Sequence, residues 1–503
     1  MKILTASQLK QLDTYTIEHE PIKSIDLMER AAQSLSQAIQ RRWNSDKPIK
    51  IMAGPGGNGG DALAVARILS NKGYKTETFL FNTSGKLSEN CAINKQRLEQ
   101  TPGAILYEIT SQFDPPQLTQ NDLVVDGLFG IGLKRPLNGG FASLVAYLNS
   151  SPATIVSIDI PSGLMCEDNS SNQTNHIIRA HVTLTIGLPK LAFLLSDNAT
   201  YIGEVEVLDI GLSREGYKQI QQQYYLTERE DAKSWILPRS SFGHKGSFGH
   251  ALLIAGQYGM AGASVLAARA CLRSGAGKLT VHTPSKNNEI LQFCIPEAIV
   301  HIDPDDYHFT EAEKDSGYQA IAIGPGIGKE QKTEEAFIKQ VRHTSVPLII
   351  DADGLNILSN HRDWLQQIPA GTILTPHPGE WQRLTGKKSD AFTALEQACK
   401  IAISHQFFII LKGHYTAICT PTGQIYFNST GNSGMGTAGS GDVLTGILLG
   451  LLAQGYQPET ACRLGTYLHG MAGDLAAQDL GEYSLTAGDI ITYLPKAFLK
   501  LMH

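Results

Sequence analysis

The chain has 503 residues, of which 42% are hydrophobic and 18% charged, proportions typical of a folded globular protein rather than a disordered one. This length exceeds what one hydrophobic core usually supports, so we expect two large domains. The net charge of −6 and the scattered basic residues argue against nucleic-acid binding. The start of the chain turns polar too early for a secretory signal, and the apolar run 443–452 is too short to span a bilayer, so we expect a cytoplasmic protein that binds no membrane.

The seven cysteines are odd in number, scattered and never spaced as CxxC. This spacing argues against a disulfide framework and against a cysteine zinc site. Free cysteines are usually interior, so most of these are expected to be buried small apolar residues.

In chain order, the first predicted element is a helix from Ser24 to about Trp43, with apolar residues on one face. Six short apolar runs follow and alternate with helical patterns: IKIMAG, YKTETFLF, DLVVDGLFG, TIVSIDIPSG, HVTLTIGL and EVEVLDIG. Such alternation predicts a parallel sheet with helices on both faces. We therefore expect an N-terminal Rossmann-like α/β domain over residues 1–220.

A polar stretch without an evident strand pattern, residues 213–240, predicts a linker. A second series of apolar runs begins after it: HALLIAG, KLTVHTP, AIAIGPG, PLIIDAD, GTILTPHPGE, FFIILKG and TAICT. These runs again alternate with helical patterns, which predicts a second α/β domain over residues 226–503. In both domains the most distinctive residues follow the apolar runs, where open parallel sheets bind their ligands.

The first of these loops reads AGPGGNGGD and formally contains GxGxxG before a predicted helix. Glycines at such a turn let the backbone approach a phosphate, and the helix N terminus offers unpaired N–H groups to it. The motif alone is weak, because a plain tight turn also accounts for it. The next strand ends in Asn82 and has its only acid, Glu77, in mid-strand, which argues against ordinary NAD cofactor binding.

Two further strand ends bring polar groups to the same edge of this sheet. The segment VVDGLFGIGLKRP contains Asp126, and VSIDIPSGL contains Asp159 and Ser162. Each acid taken singly could be a helix cap or a turn residue. Together, Asn58, Asp126 and Ser162 offer oxygen ligands, which suit a hard cation better than a transition metal.

These three motifs resemble the NAD(P)H-hydrate epimerase family, and the likeness covers residues from about 5 to 215. The resemblance implies a K⁺ ion held by Asn58, Asp126 and Ser162. Gly57 departs from the family pattern, which usually has a second Asn there. Epimerising a carbinol requires a carboxylate that moves a proton, and Asp159 is the catalytic candidate. The residues implied to bind the hydrated dinucleotide are Gly57, Asn58, Gly59, Gly60, Asp61, Gly130, Ile131, Gly132, Leu133, Lys134, Arg135, Pro136 and Asp159.

The C-terminal half contains the most informative stretch, NSTGNSGMGTAGSGDVLTGILLGLL, in which a glycine-rich turn precedes Asp442 and a long apolar helix. Exposed backbone N–H groups and the helix dipole would form a cradle for a transferring phosphoryl group. Asp442 then stands where a carboxylate can take a proton from an acceptor hydroxyl. The alternative is a glycine-rich turn with an N-capping Asp. This pattern resembles the ribokinase-like superfamily, and the absence of GxxxxGK[ST] excludes a Walker-type loop.

The motifs TPHPGEWQRL, LKGHYT, AIGPGIG, IIDADGLN and GMAGASVLAARACLRSGAGKL narrow the resemblance to the NAD(P)H-hydrate dehydratase family, from about 226 to 500. The resemblance implies ADP as co-substrate. Mg²⁺ is expected at the phosphates, although no carboxylate pair identifies its ligands. His377, taken singly, could also be a structural loop histidine. The residues implied for the hydrated dinucleotide are Ala263, Gly328, His377 and Asp442; those implied for the nucleotide are Lys412, Gly413, His414, Tyr415, Thr416 and Gly441.

Together the two resemblances imply repair of hydrated NADH and NADPH. One domain would interconvert the R and S hydrates, and the other would dehydrate the S hydrate with release of phosphate and AMP. We expect small-molecule substrates and a homo-oligomer. One alternative is a ribokinase-like small-molecule kinase fused to an unrelated, non-catalytic module; another makes the N-terminal domain a binding module for a protein or RNA partner.

Overall fold

The computed structural model describes residues 1–503, and the chain divides into two compact units. The first unit comprises Lys2–Gln222, and the second comprises Gln223–His503 together with Met1. None of the helices combines the length and apolar character that a membrane span requires. All seven cysteines are free thiols, and all except Cys294 are buried, as their scattered spacing predicted.

The first unit contains a seven-stranded sheet in the order β4-β3-β2-β5-β6-β7-β8, with every neighbouring pair parallel. The strands of this unit are β1 (Lys2–Ile3, outside the seven-stranded sheet), β2 (Ile49–Ala53), β3 (Thr76–Phe81), β4 (Ile105–Ile109), β5 (Leu123–Gly127), β6 (Thr154–Ile158), β7 (Val182–Ile186) and β8 (Glu204–Leu208). Its helices are α1 (Ala6–His19), α2 (Ser24–Arg42), α3 (Gly57–Asn71), α4 (Glu89–Glu99), α5 (Gly139–Ser150), α6 (Ala199–Ile202) and α7 (Arg214–Gln219).

Both faces of this sheet are buried, as the continuous apolar runs predicted. Ile49 and Ile51 of β2 pack in a core with Leu35 of α2, whereas Met52 packs on the opposite face with Val145 of α5. Successive strand residues point to opposite faces, so one strand serves two cores. Sequence reading missed one strand of this sheet, the edge strand β4 (ILYEI), whose side chains are mostly exposed although four of the five are apolar.

The strands of the second unit run in the order β9-β18-β17-β16-β15-β14-β13-β10-β11-β12. Neighbours from β16 to β12 are parallel, β17 is antiparallel to both β16 and β18, and β18 is parallel to β9. The strands are β9 (Tyr224–Thr227), β10 (His250–Ile254), β11 (Lys278–Pro284), β12 (Ile299–Asp303), β13 (Ala320–Ile323), β14 (Leu348–Ile350), β15 (Ile373–Leu374), β16 (Phe408–Leu411), β17 (Ala417–Cys419) and β18 (Ile425–Asn428).

The helices of the second unit enclose this sheet, and α15 is buried on nearly all sides because it is apolar around its whole circumference. They are α8 (Arg229–Trp235), α9 (Ala261–Arg273), α10 (Asn288–Cys294), α11 (Gln331–His343), α12 (Asp353–Asn360), α13 (Pro378–Thr385), α14 (Ala391–His405), α15 (Ser440–Ala453), α16 (Pro458–Leu480) and α17 (Ala487–Met502).

The stretch 213–240 is not the unstructured linker that its polarity suggested. It contains α7, strand β9 and α8, and β9 pairs with β18 inside the second unit. The prediction failed because β9 (YYLT) is a short strand with a partly exposed face, flanked by polar helices. Each apolar run of the second series contains a strand, whereas β12 and β18 were not anticipated.

Candidate active sites

The first unit holds a cavity of about 980 Å³ at the carboxyl ends of its strands. The turns after β2, β5 and β6 form much of its wall, together with side chains of α1 and α2. The sequence-predicted residues that line it are Gly57, Asn58, Asp61, Gly130, Ile131, Gly132, Leu133, Lys134, Arg135, Pro136 and Asp159.

Two of the predicted binding glycines, Gly59 and Gly60, do not line the cavity. A Cβ atom at Gly59 would lie 1.7 Å from the carbonyl oxygen of Gly54, and one at Gly60 would lie 2.9 Å from the sulfur of Met28. Glycine at position 59 therefore allows α3 to begin directly against the end of β2, and glycine at position 60 allows α3 to pack closely on α2. Their part in this site is close packing rather than contact with a ligand.

Asp126 and Ser162 form a buried polar network behind the cavity wall. The Ser162 hydroxyl donates to Asp126 Oδ1 (2.5 Å), the Ser162 backbone N–H donates to Asp126 Oδ2 (2.8 Å), and Ser157 donates to the same oxygen (2.8 Å). Burial raises the pKa of Asp126 despite these donors. The Ser162 hydroxyl also accepts from the N–H of Phe129, next to Gly130.

Asn58 lies against this network from the other side. Its Oδ1 would be 3.2 Å from a Cβ placed on Gly130, and its buried Nδ2 has no hydrogen-bond partner. A buried N–H donor without a partner is costly, so this group is suited to a ligand oxygen or a water molecule. The carboxylate, hydroxyl and amide oxygens gathered here are donors that suit a hard cation.

Asp159 lines the cavity and forms a buried ion pair that sequence reading did not anticipate. Lys190, 1% exposed, donates to Asp159 Oδ1 at 2.5 Å. The same ammonium donates to Thr185 Oγ1 and to two backbone carbonyl oxygens. The N–H of Ile186 also donates to Oδ1, so the bonds converge on one carboxylate oxygen and leave Oδ2 for a ligand. Asp159 has a positive φ of 67°, which is uncommon for a residue with a side chain.

Two further carboxyl groups line the same cavity and have raised pKa values. Burial, followed by the charge of Asp159, raises the pKa of Asp13 on α1 to about 6. Burial also raises the pKa of Asp61 on α3 well above its ordinary value. Sequence reading missed Asp13 and Lys190 because neither stands in a glycine-rich motif. The only local signal is that Lys190 is a charged residue in the apolar stretch LPKLAFLL, whereas Asp13 lies in a polar stretch.

The second unit holds a cavity of about 680 Å³. The predicted residues that line it are His377, Lys412, Gly413, His414, Thr416, Gly441 and Asp442. Tyr415, Ala263 and Gly328 are not part of its wall. Tyr415 stacks edge-on against His414, Ala263 lies on α9, and the N–H of Gly328 donates to Asp353 (3.0 Å).

The glycine-rich turn leads directly into α15, as predicted. Gly439 has a φ of +86°, a conformation that favours glycine, and α15 begins at the next residue. Asp442 lies in the first turn of this helix. The free N–H groups of that turn and the carboxylate of Asp442 therefore face the same cavity.

Lys412 organises the charges around Asp442. Its ammonium donates to Asp351 (2.9 Å), lies 3.9 Å from Glu380, and would be 3.2 Å from a Cβ on Gly441. Burial alone would raise the pKa of Asp351, but the charge of Lys412 and the hydrogen bonds from side chains, including Thr445 and Lys412, together outweigh burial and lower it. Burial, then the charge of Asp351, raises the pKa of Asp442 to about 7. A carboxylate with a pKa near neutrality is suited to accept a proton.

His377 has a structural role as well as a place in the cavity wall. Its Nδ1 accepts from the N–H of Gly379, and its own N–H donates to Glu380, which caps α13. His469 was missed by sequence reading: it lines the cavity and contacts the Ser440 hydroxyl. Burial lowers the pKa of His469 to about 4, so this ring is neutral at physiological pH.

Comparison with known proteins matches each half of the chain to a family model. Residues 24–192 match the family model described as YjeF-related protein N-terminus, and residues 251–496 match the model described as NAD(P)H-hydrate dehydratase. Both resemblances inferred from the motifs are thereby confirmed.

Relatives match over the whole chain. The bifunctional NAD(P)H-hydrate repair enzyme Nnr of Moorella thermoacetica is 36% identical over 98% of this chain and 96% of its own length. The enzyme of the same name from Thermofilum pendens is 34% identical over 100% of this chain and 97% of its own length. A solved structure also matches, that of the ADP/ATP-dependent NAD(P)H-hydrate dehydratase of Bacillus subtilis co-crystallised with ATP and Mg²⁺. Its sequence is 31% identical, and the match covers 55% of this chain and 98% of that one with a TM-score of 0.49. From these full-length matches, the chain belongs to the family of bifunctional NAD(P)H-hydrate repair enzymes.

Proposed function

We propose that this protein repairs hydrated NADH and NADPH with both of its domains. The first domain interconverts the R and S hydrates, and the second dehydrates the S hydrate at the expense of ADP. The observation that carries the proposal is Asp442, a carboxylate with a pKa near 7 at the N terminus of α15, beside a buried lysine. This arrangement serves phosphoryl transfer to a hydroxyl group.

In the dehydratase, Asp442 removes the proton from the hydroxyl on C6 of the hydrated ring. The resulting oxygen attacks the terminal phosphoryl group of ADP, and AMP leaves. Phosphate then departs from C6 as the ring nitrogen donates its electron pair, and loss of a proton from C5 restores the double bond. The products are NAD(P)H, AMP and phosphate. Lys412 and the N–H groups at Gly441 are placed to neutralise charge on the phosphates.

The cavity also offers oxygen ligands that fit Mg²⁺, since Asp351 and Glu380 present carboxylates to it. These two residues would hold the ion together with the nucleotide phosphates, and the bound ion would neutralise phosphate charge during transfer. Neither carboxylate was recognised from the sequence as a ligand. Their motifs, IIDADGLN and HPGE, were noticed only as family signatures.

In the epimerase, three groups divide the proton chemistry. Lys190 holds Asp159 through Oδ1, and Oδ2 of Asp159 accepts the proton of the C6 hydroxyl as the C6–N1 bond opens to an aldehyde. Asp61, whose pKa is raised by burial, supplies a proton to N1. Reclosure on the opposite face of the aldehyde returns both protons and inverts C6. Two carboxyl groups with opposite proton states suit an acid and base pair.

Asn58, Asp126 and Ser162 are proposed to hold a K⁺ ion at the edge of this cavity. The observation that supports such an ion is the gathering of Asn58 Oδ1, the Ser162 hydroxyl and the Asp126 carboxylate around the turn at 128–130. The ion would fix the turn at 128–130 and add positive potential near the dinucleotide phosphates. Assembly as a homo-oligomer and a cytoplasmic location stay predictions.

The alternative of a small-molecule kinase fused to a non-catalytic module is less consistent with the first cavity. A binding module has no need for Asp13, Asp61, Asp159 and Lys190 at one cavity, because burying charges is costly without a function for them.

The experiment is to incubate the purified protein with each hydrate epimer and with ADP, ATP or no nucleotide. We expect the S hydrate to yield reduced-nicotinamide absorbance, phosphate and AMP with ADP, and the R hydrate to be consumed through the S form. Replacing K⁺ by Na⁺ should slow only the epimerisation. A stable phosphorylated product without recovery of absorbance would instead establish a kinase.

A further inference from the structure

Two histidines and a glutamate meet at the edge of the second unit's sheet, outside the residues that line its cavity. His282 on β11 and His301 on β12 are register partners, so their side chains project from the same face of adjacent parallel strands. Glu313 approaches from the chain segment after β12. One ligand atom from each of these three residues lies within 4.8 Å of the other two.

His282 is fixed by a buried carboxylate behind it. Its Nε2 lies 2.9 Å from Asp303 Oδ2, and Phe309 packs edge-on against its ring. Asp303 accepts hydrogen bonds from the Thr310 hydroxyl and from the N–H groups of Asp305, Thr310 and Glu311, so it acts as an acceptor throughout. His282 Nε2 is therefore the N–H donor of this pair.

The other nitrogen of His282 then faces an unusual partner. Nδ1 lies 2.7 Å from Glu313 Oε1, and the same carboxylate oxygen contacts Nδ1 of His301. In a neutral His282 with its proton on Nε2, Nδ1 is an acceptor and meets another acceptor. A cation bound jointly by His282 Nδ1, His301 Nδ1 and the Glu313 carboxylate would give each of these acceptors a partner.

The carboxylate of Glu313 is brought to this place by its own backbone. The N–H of Glu313 donates to the side-chain oxygen of Gln340, which is 0% exposed, at 2.6 Å. Asp303 holds the preceding residues Thr310 and Glu311. The three side chains are thus presented by two strands and an anchored segment, as expected of a built site.

We propose that His282 Nδ1, His301 Nδ1 and Glu313 bind a divalent transition-metal ion, with Zn²⁺ as the fitting example. Two imidazoles and one carboxylate form a ligand set that zinc accepts, with water in the fourth position. The carboxylate that orients His282 from behind is the arrangement that metal-binding histidines usually show. Neighbouring ligand atoms around tetrahedral zinc lie about 3.3 Å apart, which is farther than either imidazole Nδ1 lies from Glu313 Oε1, so binding would move this carboxylate away from both rings.

The ion would join β11, β12 and the segment ending at Glu313. His301 is 57% exposed, whereas His282 is 2% and Glu313 12% exposed, so the ion enters from solvent and keeps one open side. This site is separate from the magnesium and nucleotide chemistry, because none of its three residues lines the 680 Å³ cavity. Its effect is to tie an edge strand and a long connection together.

The test is Zn²⁺ titration of the full-length protein after chelator treatment, by calorimetry and by thermal unfolding. We expect one tight site per chain and a rise in Tm with Zn²⁺. His301→Gln and Glu313→Gln should each weaken that site at least tenfold and abolish the rise in Tm. Because His301 is largely exposed, His301→Gln should fold normally, which the dehydratase rate without Zn²⁺ will verify.

Two controls separate this site from adventitious zinc binding. His343→Gln removes another exposed histidine, on α11, and Cys294→Ser removes the exposed thiol; neither should change the tight site. Bound Co²⁺ should give visible absorption bands in the wild type that His301→Gln loses. Equal Zn²⁺ affinity in the wild type and His301→Gln, or no tight site in the wild type, would overturn the proposal. The latter result would mean that a doubly protonated His282 satisfies both carboxylates.

Discussion

The two cavities use the same kinds of groups but connect them differently. In the first, Lys190 bonds directly to Asp159, the carboxylate that we assign as the proton acceptor. In the second, Lys412 bonds to Asp351, while Asp442 takes a raised pKa from burial and from Asp351. The lysine therefore contacts the assigned proton acceptor itself in the first cavity, whereas in the second it contacts a neighbouring carboxylate and Asp442 titrates near neutral pH.

The difference also bears on stability. Lys190 is 1% and Asp159 11% exposed, whereas Lys412 is 20% and Asp351 2% exposed. Removing one partner of a buried ion pair leaves an uncompensated charge, and this cost is larger where both partners are shielded from water. The epimerase site should therefore be the more sensitive of the two to loss of its lysine.

The largest effect is expected for Asp442→Asn, which removes the proton acceptor from the dehydratase. General-base catalysis contributes about 10²- to 10⁴-fold, so kcat should fall about 10³-fold with little change in the KM for ADP. The measurement is the ADP-dependent recovery of NADH absorbance from the S hydrate. Asp479→Asn, an exposed charge on α16, is the matched control and should have wild-type activity. A loss of less than tenfold in Asp442→Asn would exclude this residue as the base.

Next in size is Lys190→Met, which leaves Asp159 buried without its cation. Breaking such a pair typically costs about 3–5 kcal/mol, and epimerisation should slow about 100-fold because Asp159 loses the ammonium group that orients it. Chemical denaturation of the first unit and R-to-S exchange are the measurements. Lys190→Met with Asp159→Asn should regain part of the stability but no activity. The control is Lys50→Met, which breaks the ion pair with Glu77 away from the cavity and should leave R-to-S exchange unchanged. Normal R-to-S exchange in Lys190→Met would contradict the role assigned to the Lys190–Asp159 pair.

The smallest effect, and the most direct comparison of the two sites, is their pH dependence. Asp442 must be unprotonated to act, and its pKa is about 7, so dehydratase kcat/KM should fall about tenfold per pH unit below 7 and level off above it. Asp61 must be protonated, so epimerisation should instead decline towards alkaline pH as its raised pKa is passed. Parallel profiles for the two activities would show that the proton roles are assigned wrongly.

Sequence reading located the polar residues at strand ends better than it located their partners. Asp126, Asp159 and Asp442 stand in motifs rich in glycine, and glycine-rich turns after apolar runs are visible locally. Lys190, Asp351 and His469 complete the two sites from other parts of the chain, and no local spacing indicates that they meet these aspartates. The same limit hid the group of His282, His301 and Glu313, which strand register brings together.

The chain order of apolar runs and glycine-rich turns determined by itself that this protein has two α/β domains and a ligand-binding turn in each, because burial and backbone freedom act on neighbouring residues. Only the tertiary structure decided which charges are paired. It places Lys190 against Asp159 and Lys412 against Asp351, and it separates Gly59 and Gly60 from the cavity. Proton affinity depends on burial and on the distance to other charges, and both are properties of the packed chain.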